Sequence, residues 1–113
     1  MSQSRRARGE WGERRAEKWY TDAGYEVLDR NWRTRAGELD LVLARNDEII
    51  FCEVKARASD HFGTASEAVN YKKQRRIRSL AAEWLNNHDI HGRVRFDVAA
   101  VTGTQVQIIE AAF

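Results

Sequence analysis

Apolar and polar positions recur along this chain with two different periods. In residues 9–23, Gly12, Ala16, Trp19 or Tyr20, and Ala23 return at helical spacing before Gly24 ends the pattern, which predicts a first helix. Its inward side is mostly small residues, which predicts close approach to a sheet. Tyr25-Glu26-Val27-Leu28 has the two-residue period of a short strand, and residues 29–36 follow as an arginine-rich loop or strand extension. Residues 37–44 and 48–56 read as two strands joined at Asn46-Asp47, a dipeptide suited to a tight hairpin turn. Thr64 with Glu67 three residues later forms a capping box, and the stripe Val69, Ile77, Leu80, Ala81 and Trp84 carries a second helix to about residue 86. Residues 94–101 and 105–111 read as two more strands around Thr102-Gly103-Thr104. The order helix, three strands, helix, two strands predicts an α/β sandwich with a mixed sheet.

The hairpin pattern also predicts a side-chain register. With a two-residue turn, Arg45 faces Glu48, and paired residue numbers sum to 93, so Asp40 faces Glu53 and Glu38 faces Lys55. Alternation then places Glu38, Asp40, Glu53, Lys55 and Arg57 on one face, and Leu39, Leu41, Leu43, Ile50, Cys52 and Val54 on the other. Two carboxylates directly opposite each other, with Cβ atoms about 5 Å apart, repel and destabilise a hairpin unless something offsets them. Lys55, diagonal to Asp40, offers a plain salt bridge. A divalent cation offers a second answer, because Mg²⁺ takes oxygen ligands from one or two carboxylates, water and substrate phosphate. Phosphodiester hydrolysis uses such an ion to acidify water, and a neighbouring lysine positions or deprotonates that water.

Charge adds a location to this chemistry. Lys plus Arg number 19 against 17 Asp plus Glu, for a net charge of +2, which by itself names no partner. The basic residues are clustered, in Arg5-Arg6-Ala7-Arg8, in residues 30–35 and in Lys72-Lys73-Gln74-Arg75-Arg76-Ile77-Arg78, patches that suit a polyanion or a solvated face. Lys73 interrupts the apolar stripe of its helix; it either snorkels to the surface or reaches the sheet and contacts phosphate. Arg33, Arg57 and Arg76 are further candidates for phosphate contacts that read no bases. The single cysteine, Cys52, excludes an internal disulfide and a cysteine zinc cluster, which fits a reducing cytoplasm. No apolar run approaches the length of a membrane span. One domain over residues 1–113 is expected, with residues 1–8 a flexible basic start.

Gly12-Glu13 with Ala16 and Tyr20, Arg30-Asn31, Arg33, Gly37-Glu38-Leu39-Asp40-Leu41, Phe51-Cys52-Glu53-Val54-Lys55-Ala56-Arg57, Lys73 and Arg95-Phe96-Asp97-Val98 together resemble the YraN family of small bacterial proteins. That family is similar to archaeal Holliday junction resolvases and to the PD-(D/E)XK nuclease superfamily. The resemblance implies a three-layer, restriction-endonuclease-like α/β core and an endonuclease dependent on Mg²⁺ or Mn²⁺. It further implies a DNA substrate, branched or single-stranded, in repair or recombination, and a homodimer that cuts two strands. Carried over by position, Asp40 and Glu53 are metal ligands, Lys55 is the catalytic lysine, and Glu13 is the additional acidic residue of the resolvase-like branch. Leu39 stands where the superfamily name has proline. Glu38 either restrains Lys55 or lies at the rim. The alternative to an enzyme is a nucleic-acid-binding module of the same fold that acts with a partner.

Overall fold

A computed structural model describes residues 2–57 and 69–113, with side chains from Gly9 to Ala56 and from Val69 onward. The elements are α1 (Ser2–Asp22), β1 (Glu26–Thr34), β2 (Gly37–Arg45), β3 (Glu48–Arg57), α2 (Tyr71–His88), β4 (Arg93–Thr102) and β5 (Gln105–Ile109). The sheet runs β1-β2-β3-β4-β5, antiparallel throughout except for the parallel pair β3–β4. The expected α/β class, element order and mixed sheet are therefore found. Among the described residues, no helix is long and apolar enough to cross a membrane.

The starts of both helices differ from the periodicity, and β5 ends at Ile109 rather than at residue 111. Helix α1 starts at Ser2 rather than near residue 9, because the polar segment before Gly9 contains good helix formers but no apolar stripe to reveal it. Helix α2 starts at Tyr71, not in the region of Thr64 and Glu67, whose capping box lies outside the described residues. Asn70 is extended, at φ −73° and ψ 171°, and its side chain accepts the Lys73 amide; this cap ends any continuous helix through Val69.

The two helices cover opposite faces of the sheet. On the α1 side, Ala16 and Tyr20 pack with Tyr25, Leu41, Leu43, Ile50, Cys52 and Ala99. The α2 side contains Ile77, Leu80, Ala81 and Trp84 against Val42, Ile49, Phe51, Phe96 and Val98. The close helix approach expected from the small residues occurs at Gly12, where an added Cβ would lie 2.8 Å from Ala56 Cβ. Only a missing side chain permits that distance. The next residue is Glu13, so the contact sets its height over the strands.

Polar ties fix each helix against β1. Arg30 grips Glu17 of α1 through one edge of its guanidinium, Nε donating at 2.6 Å and Nη2 at 3.0 Å. Trp84 of α2 donates to Asp29 at 2.8 Å, beside a bulge that displaces β1 between Val27 and Asp29. A further polar centre is fully enclosed. Asp97 accepts from Tyr20 at 2.7 Å, from Arg95 at 2.9 and 2.8 Å, and from the Ala111 amide at 3.0 Å.

Candidate active site

The β2–β3 ladder pairs Arg45↔Glu48, Ala44↔Ile49, Leu43↔Ile50, Val42↔Phe51 and Leu41↔Cys52, the register expected from a two-residue turn. Asn46 makes the turn at φ 57°. Past Leu41 the ladder gives way. Val54 N donates at 2.9 Å to Asp40 Oδ2, a bond that a continued ladder would direct to the β2 backbone. On the other flank, Asn31 lies opposite Asp40, between the pairs Arg30↔Leu41 and Trp32↔Leu39, and adopts the left-handed conformation at φ 49°. Regular pairing is thus interrupted on both sides of Asp40.

This interruption corrects the simple alternation. Leu41 and Leu43 pack on the α1 side, but Leu39 joins the α2-side cluster. Leu39, Leu41 and Leu43 do not share one face, because the strand rotates where its ladder is broken. The rotation brings acidic groups from separate elements together. One oxygen each from Glu13, Glu38 and Asp40 lies within 4.8 Å of the others. The Asn31 amide donates to both Glu13 and Glu38, at 3.0 Å each, and Arg33 Nε donates to Glu38 at 2.8 Å. Glu38 therefore sits at the rim, partnered by Arg33 and Asn31 rather than by Lys55. A cleft of about 460 Å³ opens beside it, lined by Gly9, Glu10, Glu13, Asn31, Arg33 and Glu38.

Glu53 occupies the α2 side. Lys73 reaches it, with Nζ 2.8 Å from Oε1, while Lys55 Nζ lies 3.8 Å from the same oxygen. Of the two destinations open to Lys73 in the sequence, the structure gives the sheet. Arg76 is exposed, and its stem covers Gly37, where an added Cβ would lie 3.2 Å from Arg76 Cδ. Gly37 has φ 145°, a conformation that favours glycine and lets β2 start beneath that stem. The Arg57 side chain lies outside those described.

Burial and like charge dominate the electrostatics. Burial, followed by the charges of Glu53, Glu13 and Glu38, pushes the Asp40 carboxyl from 3.8 up to about 7, although the Val54 amide opposes this. Glu13 is raised by burial and by Glu38, Glu10 and Glu53, against its hydrogen bond from Asn31. Lys55 is lowered by burial and by the adjacent Lys73 ammonium. Burial is the largest single influence on Lys73 and disfavours its charge, but hydrogen bonding to Glu53 and Lys55 together with the charges of Glu53 and Asp40 raises that group. Carboxylates held this close, with Asp40 and Glu13 raised, offer hard oxygen donors of the kind Mg²⁺ or Mn²⁺ takes. Asp40 is the shared member, adjoining Glu53 on one side and Glu13 with Glu38 on the other.

Sequence reasoning missed Asn31 as the residue that holds Glu13 and Glu38 side by side. The available signal was its register position opposite Asp40 in a segment read as loop or strand extension. The helix contact could not be read from spacing, since Glu13 and Asn31 meet across 18 residues.

A family model described as Uncharacterised protein family UPF0102 matches residues 12–101, a span that contains Glu13, Asn31, Glu38, Asp40, Glu53, Lys55 and Lys73. The chain is 51% identical over 106 residues to a UPF0102 protein of Rhodococcus opacus, covering 90% of each chain. It is 42% identical over 120 aligned positions to a UPF0102 protein of Moorella thermoacetica, covering the whole of both. A UPF0102 protein of Beutenbergia cavernae is 50% identical over 98 residues, covering 86% of this chain and 83% of the relative.

Proposed function

The chain belongs to the uncharacterised protein family UPF0102, and from that premise we propose that it is a divalent-metal-dependent endonuclease hydrolysing DNA phosphodiester bonds, selective for branched or single-stranded structures. The observation that carries this reading is the convergence of Glu13, Glu38 and Asp40 at a broken ladder end, with Glu53 and Lys55 beside them. A purely structural surface gains nothing from gathering carboxylates where they repel.

In this reading Asp40 and Glu53 hold Mg²⁺ or Mn²⁺, with Glu13 and Glu38 adjoining Asp40. The ion, when bound, supplies Lewis acidity for the attacking water and for the departing oxygen. Lys55, whose ammonium is destabilised by burial and by Lys73, positions the water and accepts its proton. Arg33, Arg57, Lys73 and Arg76 hold backbone phosphates and read no bases. Cutting both strands of a junction takes two such sites, hence a homodimer, working in the cytoplasm.

One observation favours a second reading, a nucleic-acid-binding module without cleavage. Glu53 already has Lys73 and Glu38 already has Arg33, so part of the acidic charge is neutralised within the chain. Titration with Mn²⁺ by calorimetry, followed by incubation of branched and single-stranded DNA with Mg²⁺, separates the two. Saturable binding and cleavage, both lost in Glu53→Ala, are expected. Salt-sensitive DNA binding with neither metal binding nor cleavage would leave the binding module.

A further inference from the structure

Glu53 is the carboxylate whose surroundings the metal reading leaves unexplained. Its side chain is only 10% exposed, yet it has two ammonium neighbours, and only Lys73 is within hydrogen-bonding distance. A carboxylate withdrawn from water requires a counter-cation, so Lys73 serves a need in the ion-free protein. The same need is met by a divalent ion. Both cannot be met at once without cost, because an ion on Glu53 would stand beside the Lys73 ammonium, 2.8 Å from a carboxylate oxygen they would share, and the like charges repel.

The two lysines are not equally placed to leave. Lys55 belongs to β3 and is fixed in register against Ala100 of β4. Lys73 stands in the first turn of α2, where no acidic residue offsets the positive end of the helix and Lys72 adds a like charge. Cations are disfavoured at a helix N-terminus. Among the described residues, Glu53 is the one carboxylate paired with Lys73.

We infer that Lys73 is a built-in occupant of the cation seat on Glu53, displaced when a divalent ion binds and thereby freed to take a substrate phosphate. This rests on the metal reading above and adds regulation to the same site. The ion-free protein keeps its seat neutralised, and ion binding transfers an ammonium from an internal carboxylate to the surface that meets DNA.

The test uses the whole chain and Mn²⁺ alone, without nucleic acid. Calorimetric titration compares wild type with Lys73→Met, which keeps the stem but not the charge, and with Lys73→Arg, which keeps both. Lys73→Met should bind Mn²⁺ about tenfold more tightly than wild type, and Lys73→Arg no more tightly than wild type. In parallel, amine acetylation of the wild-type protein is followed by mass spectrometry, with Lys72 as internal reference. Saturating Mn²⁺ should accelerate labelling of Lys73, a readout that decides the matter even where the Met variant fails to fold. Wild-type binding that Lys73→Met leaves unchanged or weakens, with Lys73 labelling insensitive to Mn²⁺, would overturn the displacement and spare the metal site. Undiminished binding in Glu53→Gln would overturn it too, since the ion would then sit elsewhere. Absence of binding in both wild type and Lys73→Met would remove the metal reading and this inference with it.

Discussion

Two polar centres lie on one small sheet, and they are built on opposite principles. Around Asp97, which is fully buried, every oxygen has a donor: Tyr20, Arg95 and the Ala111 amide converge on it, and Arg95 is itself tied to Tyr25 at 3.1 Å. Around Asp40, carboxylates approach one another and the donors are fewer. The first centre is finished by the chain alone. The second is left with surplus negative charge, which is what separates a site from a scaffold.

Breaking the finished centre should have the largest effect. Asp97→Ala takes from Arg95, only 14% exposed, its closest carboxylate, leaving Glu48 and Glu110 at 3.5 Å, and takes from Tyr20 its buried acceptor; it should cost about 3–5 kcal/mol in denaturant unfolding. The surplus centre should respond in the opposite direction. Asp40→Asn keeps an acceptor for the Val54 amide while removing a repelled charge, so the metal-free protein should gain about 1–2 kcal/mol near pH 7 and lose its Mn²⁺ heat. Clear destabilisation would mean that the carboxylate is a structural element after all.

The same contrast predicts a pH dependence. Folding raises Asp40 from 3.8 to about 7, and also raises Glu13, so the folded state holds more protons than the unfolded chain between those values. The resulting stabilisation is complete below about pH 4 and is lost as the pH rises through about 7. Metal-free stability should fall over this window, and the slope should flatten in Asp40→Asn. Mn²⁺ affinity should rise over the same window, because protons and the ion compete.

Smaller effects should sharpen the comparison. Asn31→Ala forces a Cβ residue into the left-handed region and should cost about 1 kcal/mol, whereas Asn31→Gly should be nearly neutral in stability. Both should weaken Mn²⁺ binding several-fold, because both lose the amide shared by Glu13 and Glu38. The smallest change belongs to neither centre. Lys18→Ala breaks the exposed pair with Asp22 and should shift stability by less than about 0.5 kcal/mol.

Local periodicity made the hairpin legible: the turn at Asn46-Asp47 fixed the register, and the five pairs from Arg45↔Glu48 to Leu41↔Cys52 follow from it. The helix approach at Gly12 was legible for a related reason, since only small residues allow it. Leu39 was misplaced because alternation assumes an unbroken ladder, and the break arises from a side chain, Asp40, bonding in place of backbone. The start of α2 was displaced by Asn70, whose cap is a short-range signal weaker on paper than the stripe running through Val69. Contacts that cross the whole chain had no signature at all. Tyr20 and Asp97 are 77 residues apart, and nothing in either segment names the other.

Asn31 has a consequence beyond the site. Strand β1 is an outer strand of the sheet, and an outer strand with an even backbone is a template on which another chain can add itself and begin a fibre. Here the bulge after Val27 and the left-handed Asn31 leave only short extended runs between them, flanked by Arg30 and Arg33. An incoming strand would lose register within a few residues. The irregularity that gathers the carboxylates therefore also protects this edge from aggregation.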